Sequence, residues 1–364
     1  MESSIPENLR CPRSQPRRVD DNYTPPYPAW VARSSGQVRR VVMAYFGVQW
    51  RGTDSKPVAD KEFAQIVTHL GMADGPVHFD SAREVDSAGF QNRLAVGYWL
   101  DPDSFERWRN SVAVAQWWLS RDQVNTGVGY FREIFSPRLE RFETLFSNPD
   151  HLEGVGVALG RRSTEDISEH AYWGSMRERL PLSQTDPLHS SGLPHVESTS
   201  ACGRRTRISG HENLAIIRSG QEWTETEGKE RALYAEDIEP ILRQGMEFLR
   251  DQGASIGCYV NRYVRHIDQH GEPLEKTFGF SMWKSLAHLE KWAEAHPTHI
   301  AIFGTFMRVV QTLEFNLKLR LYHEVAVLAR DEQEYEYIDC HAATGMLVTL
   351  GQTQESAAAA QTSR

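Results

Sequence analysis

Trp99-Leu-Asp-Pro-Asp-Ser-Phe105-Glu106-Arg107-Trp108 returns later in the chain as Trp283-Lys-Ser-Leu-Ala-His-Leu289-Glu290-Lys291-Trp292. Both stretches carry the same spacing of tryptophan, a large apolar side chain, glutamate, a basic residue and tryptophan, and each follows a strand-like run. Working outward, the first half shows strand patterns at 38–50, 76–85, 91–100 and 126–135, with helical patterns at 60–72 and 101–120. The second shows strands at 212–219, 254–266, 276–284 and 318–328, with helices at 236–252 and 285–312. The order strand-helix-strand-strand-helix-strand therefore occurs twice. The expected fold class is α+β, with two ferredoxin-like halves forming an α+β barrel and the helices outside. An extended, proline-rich arm (1–30) precedes the first half (31–182). A stretch rich in serine, glycine and proline (183–210) reads as a linker loop, followed by the second half (211–350) and a frayed tail (351–364).

The 364 residues suffice for a large core. Lysine and arginine number 40 against 49 aspartates and glutamates, a formal charge of −9. That balance argues against general nucleic-acid binding, which needs clustered positive charge. No apolar run approaches the length of a membrane span, and the N-terminus lacks the basic start and apolar stretch of a secretory signal. Cys11, Cys202, Cys258 and Cys340 stand singly, with no Cys-x-x-Cys pair. A zinc ribbon and covalently attached haem are disfavoured, and a reducing cytoplasmic setting is expected.

His299 opens an otherwise apolar helix stripe that continues through Phe303, Phe306 and Val310. Pro297 suits the first turn of that helix. One neutral imidazole beside flat apolar surface is what an axial haem ligand requires; a capped or satisfied core histidine is the competing reading. The repeat sets Ala115 opposite His299, so a cofactor held there belongs to the C-terminal half. In the last strand, alternation puts His323 on one face with Leu319, Leu321, Val325 and Val327. A buried imidazole suits acid–base work, or else satisfies a backbone carbonyl. Ser219 ends an apolar strand. Arg177 and Arg179 follow the aromatic pair Tyr172-Trp173, and Glu143 lies in Arg141-Phe-Glu-Thr-Leu. Each of these has a plain structural alternative. His296-x-x-His299 is not read as a zinc site, because proline separates the two and no further ligand lies at suitable spacing.

Taken together, His-Pro-Thr-His at 296–299, Leu-Arg-Leu-Tyr-His-Glu-Val at 319–325, Tyr-Trp-Gly-Ser-Met-Arg at 172–177 and Ile-Arg-Ser-Gly at 217–220 resemble the aldoxime dehydratases. The resemblance covers nearly the whole chain. It implies a homodimeric haem-b lyase that converts R–CH=N–OH to a nitrile and water, with the oxime nitrogen on ferrous haem. It implies His299 as axial ligand, with Phe303 and Phe306 along the same helix against the cofactor. It further implies His323 as distal acid–base group, Ser219 as hydrogen-bond donor, Arg177 as distal arginine with Arg179 competing, and Glu143 as distal carboxylate. On this scheme His323 acts first as imidazolium, kept charged by Glu143. The competing readings are a peroxidase-like or chlorite-decomposing haem enzyme on a related barrel, a non-catalytic haem carrier, and a cofactor-free barrel.

Overall fold

The computed structural model describes residues 1–123 and 125–351; the expected tail lies outside the described residues from 352 onward. The first half forms β1 (Val42–Trp50), α1 (Lys56–Leu70), β2 (His78–Val85), β3 (Gln91–Trp99), α2 (Pro102–Arg109), α3 (Val112–Leu119) and β4 (Gly129–Phe135). There follow β5 (Phe142–Phe146), α4 (Val155–Leu159), α5 (Ser175–Arg179) and the hairpin β6 (His195–Thr199) and β7 (Arg205–Ser209). The second half forms β8 (Leu214–Glu222), α6 (Gly228–Leu233), α7 (Glu239–Gln252), β9 (Cys258–Ile267), β10 (Pro273–Trp283), α8 (Leu286–Ala295), α9 (Pro297–Thr312), β11 (Arg320–Leu328) and β12 (Gln333–Ile338). The protein is thus mixed α and β with extensive antiparallel pairing, and both halves keep the expected element order.

The repeated motif is a capped strand-to-helix corner. Asp101 accepts from the backbone N–H groups of Asp103 and Ser104 at 3.0 and 3.3 Å, and Ser285 from that of His288 at 3.3 Å. Each cap lies two residues after the leading tryptophan. Trp99, Phe105 and Trp108 are buried in one copy, and Trp283, Leu289 and Trp292 in the other. Both long predicted helices are divided, the first at Asn110-Ser111 and the second at His296. Pro297 holds His296 extended, at φ −80° and ψ 134°, and starts α9.

Two compact units result. One comprises Met1–Arg39, Pro137–His189 and Ala215–Val327, the other Arg40–Ser136, Ser190–Leu214 and the chain from Leu328. The first carries strands in the order β5-β11-β8-β10-β9, the second β2-β3-β1-β4-β12-β7-β6. The units cross the midpoint of the chain because β5 pairs with β11, and β12 with β4. The stretch 183–210, expected as loop, contains the β6–β7 hairpin, whose outer strand β6 is exposed throughout. In the first unit Leu242, Met246, Trp283, Leu289, Trp292, Val325 and Val327 form the core on which the site is built.

Candidate active site

The α8–α9 corner orients His299. Thr298 Oγ accepts from Trp292 Nε1 at 3.0 Å and lies 2.9 Å from His296 Nδ1, which caps α9. His296 also stacks on Phe248 at 4.4 Å. Its Nδ1 is therefore engaged in capping. Held in this way, the Trp292 ring meets the His299 ring edge-to-face at 4.6 Å, and Trp173 meets it at 5.8 Å. His299 Nδ1 is buried without a partner among the described residues. Burial pushes the imidazole down to about 4, opposed in part by the Ala293 carbonyl, so it is neutral at physiological pH. Around it lies uncovered apolar surface, with Trp173 38 %, Phe303 40 % and Ile300 50 % exposed. Trp173 and Phe303 touch at 5.6 Å. Phe306, lower on the stripe, packs against the cluster of Trp223, Tyr234, Ile238 and Val309. A neutral imidazole that leans on the Ala293 carbonyl and lies next to uncovered aromatic surface fits an axial haem ligand.

The strands assemble the second group. His323 pairs with Leu145 and Val325 with Glu143, so His323 and Glu143 project from one face of neighbouring strands. A Cβ on Gly220 would run into the Tyr322 ring on the adjacent strand. Gly220 and Tyr322 therefore share the other face, and alternation turns Ser219 to the same side as His323. That other face is also covered: Tyr322 stacks on Phe146, and Glu324 accepts from the backbone N–H of Val155 at 2.6 Å.

Arg179 joins this group and Arg177 does not. Arg179 is buried. Its Nε and Nη2 donate to Glu143 at 2.7 and 3.1 Å, and its Nη1 to the Glu169 carbonyl and Ser175 Oγ at 2.9 and 3.2 Å. One Nη2 proton is left without a partner among the described residues. Arg177, the residue expected in this place, instead pairs with Glu290 of α8 at 2.6–3.2 Å and donates to the Pro187 carbonyl. Position 179, two residues on along the short helix α5, is the one turned toward β5.

Neither ring nitrogen of His323 hydrogen-bonds a described residue. Burial, the Arg179 charge and His299 push its pKa down to about 3. The Glu143 carboxyl is pushed up by burial and drawn down by Arg179. Burial and the Arg179 charge both favour the neutral ring, and Glu143, the group expected to keep it charged, is paired with Arg179. A residue unsuspected from sequence follows Glu169, whose carbonyl Arg179 engages. His170 is 1 % exposed with both ring nitrogens unpartnered among the described residues, and burial with the Arg179 charge pushes it down to about 4. A lone histidine in an irregular segment carries no periodic signal that could have marked it.

The chain matches the family of haem-containing dehydratases over residues 44–346. It belongs to that family. Curated relatives include an aliphatic aldoxime dehydratase of Rhodococcus globerulus, 50% identical over 348 residues, which are 95% of this chain and 98% of the relative. The phenylacetaldoxime dehydratase of Bacillus sp. (strain OxB-1) is 31% identical over 91% of this chain and 94% of its own. The crystal structure of an aldoxime dehydratase in complex with butyraldoxime superposes with a TM-score of 0.92 at 48% identity, covering 96% of both chains. This haem-containing dehydratase is accordingly an aldoxime dehydratase, a lyase whose cofactor is haem. Among its described residues no helix is long and apolar enough to cross a membrane.

Proposed function

We propose that this enzyme converts an aliphatic aldoxime to a nitrile and water, with His323 carrying the proton. The reading rests on one juxtaposition: an unbonded imidazole on the same sheet face as Ser219 and the Glu143–Arg179 pair, and near His299. His299 would hold haem through a ring nitrogen, with Trp173 and Phe303 offering apolar surface to its plane. When bound, haem supplies an electron-rich iron for the oxime nitrogen, which weakens the N–O bond.

The chain's own groups account for the rest. Dehydration removes the proton on the aldoxime carbon, breaks N–O with the electron pair leaving on oxygen, and turns the C–H pair into the third C–N bond. His323 begins neutral, takes the carbon proton, and delivers it to the departing oxygen as water forms. Positioned proton transfer of this kind contributes about 10²–10⁴ in rate. The spare Nη2 proton of Arg179 and the Ser219 hydroxyl donate to the oxygen as its charge grows. Glu143 holds the guanidinium in place by a two-pronged pair.

Further parts of the reading are carried by the same features. The strand orders β2-β3-β1-β4 and β9-β10-β8-β11 support a ferredoxin-like reading of the two halves. We carry forward the α+β barrel, and the division at 31–182 and 211–350, as part of this proposal. Cytoplasmic residence accords with four cysteines that form no disulfide among the described residues, and homodimerisation follows from the family resemblance. The decisive test is turnover of butyraldoxime by reduced His323→Ala enzyme under anaerobic conditions. Haem content is expected to be normal and turnover to fall by about 10² or more. Near-native turnover would remove His323 from the mechanism.

A further inference from the structure

The unit that lacks the haem ligand has a pocket of its own. Its volume is about 150 Å³, and it lies where α2 and α3 repeat the α8–α9 corner. Trp108 corresponds to Trp292, and Ala115, seven residues on, to His299. Ala115 lines the pocket and offers only a methyl group to it. Phe46, Trp108 and Trp118 form apolar walls, with Phe46 edge-on to Trp108 at 5.5 Å. Histidine and cysteine are absent from the lining, so the occupant is not held by a metal.

The polar lining is one-signed. Arg109, Arg132 and Arg207 face the pocket and no carboxylate does. Behind them, Arg109 is paired with Glu106 and Glu334 at 3.4 and 2.8 Å, while Arg132 and Arg207 share the one carboxylate of Glu336, at 2.6 and 3.5 Å, with Arg205, which leaves four guanidinium groups against three carboxylates. The Arg132 guanidinium also lies over the Trp118 ring at 4.9 Å. Three buried donors on lining residues, Arg132 Nε, Trp117 Nε1 and Trp118 Nε1, have no acceptor among the described residues. Native proteins leave few such groups unpaired. In a chain of net charge −9, this local excess of cations and donors is a built feature.

We propose that this pocket is a second binding site, for a small monocarboxylate with an apolar body. A cavity of about 150 Å³ holds one six-membered carbon ring. Planar guanidinium forks match a carboxylate better than a compact cation would. The site lies wholly within the unit without the haem ligand, so its occupancy is separable from catalysis.

The test uses the haem-loaded enzyme and para-fluorophenylacetate as probe, followed by fluorine NMR, with the haem Soret band recorded in parallel. Saturable binding with a Kd of about 0.1–5 mM is expected for a ligand of this size, with the Soret band unmoved. Ala115→Phe places a ring in the pocket, and Arg207→Gln removes a cation at its exposed rim. Each should weaken binding at least tenfold while leaving aldoxime turnover intact. The neutral amide of the probe should bind at least tenfold more weakly. Arg207 is exposed, so its variant keeps the test decisive if Ala115→Phe folds poorly. Binding unchanged in Arg207→Gln, equal affinity for the amide, a Soret shift that tracks occupancy, or no saturable binding would each overturn the proposal.

Discussion

Replacing Arg179 by methionine separates the two arginines more sharply than any other change. Arg179 and Glu143 are 4 % and 5 % exposed and share two hydrogen bonds. Breaking a buried pair from one side costs about 3–5 kcal/mol, chiefly because the remaining charge is stranded. Glu143 answers by protonating, since burial already pushes its carboxyl up and Arg179 alone opposes this. His323 loses the cation that helps hold its pKa down. Loss of the donor to the departing oxygen lowers kcat by about 10²–10³. Arg177→Met loses a partly exposed pair with Glu290 and a hydrogen bond to the Pro187 carbonyl, together on the order of 1–2 kcal/mol, and turnover stays within threefold. The double variant Glu143→Leu with Arg179→Met replaces the pair with apolar groups, a change that is often neutral or stabilising. Its melting temperature should recover while its activity does not. The assays are thermal melts by circular dichroism and nitrile formation from butyraldoxime. Full activity in Arg179→Met, or a collapse of activity in Arg177→Met, would refute the assignment.

Other expectations follow from the same geometry. His299→Ala should purify without a Soret band yet keep a native circular dichroism spectrum, because the corner is fastened by Thr298, Trp292 and His296; normal haem content would contradict the ligand assignment. Burial and Arg179 push the His323 pKa down to about 3, so its neutral form prevails at every working pH. As a base it gives a kcat that is flat above about pH 5 and falls only in more acid solution, whereas a required imidazolium would lose activity roughly tenfold per pH unit through neutrality. Ser219→Ala removes one hydrogen bond to the departing oxygen and should cost about tenfold in kcat with haem content unchanged; an unaltered kcat would exclude that contact.

Much of the fold could be read from periodicity and punctuation. The alternation of β11 and the stripe of α9 rest on local spacing, and the two corners on Asp101, Ser285 and Pro297. Shorter pieces escaped. β5 and β12 are five and six residues long, too short for a periodic signal, and their partners lie far away in the chain. The two arginines show a different limit. Residues two apart on a helix point about 200° away from each other. Nothing in Ser175-Met-Arg-Glu-Arg179 says which of them turns toward the sheet. That depends on Glu143, which is brought there by the pairing of β5 with β11. The charge state of His323 was out of reach for the same reason.

The small web joining Trp292, Thr298 and His296 is complete with protein atoms alone. The direction of the His299 ring is therefore set by neighbours at its own corner of the chain, so that a proposed axial ligand would be aimed by side chains with no other part in the chemistry.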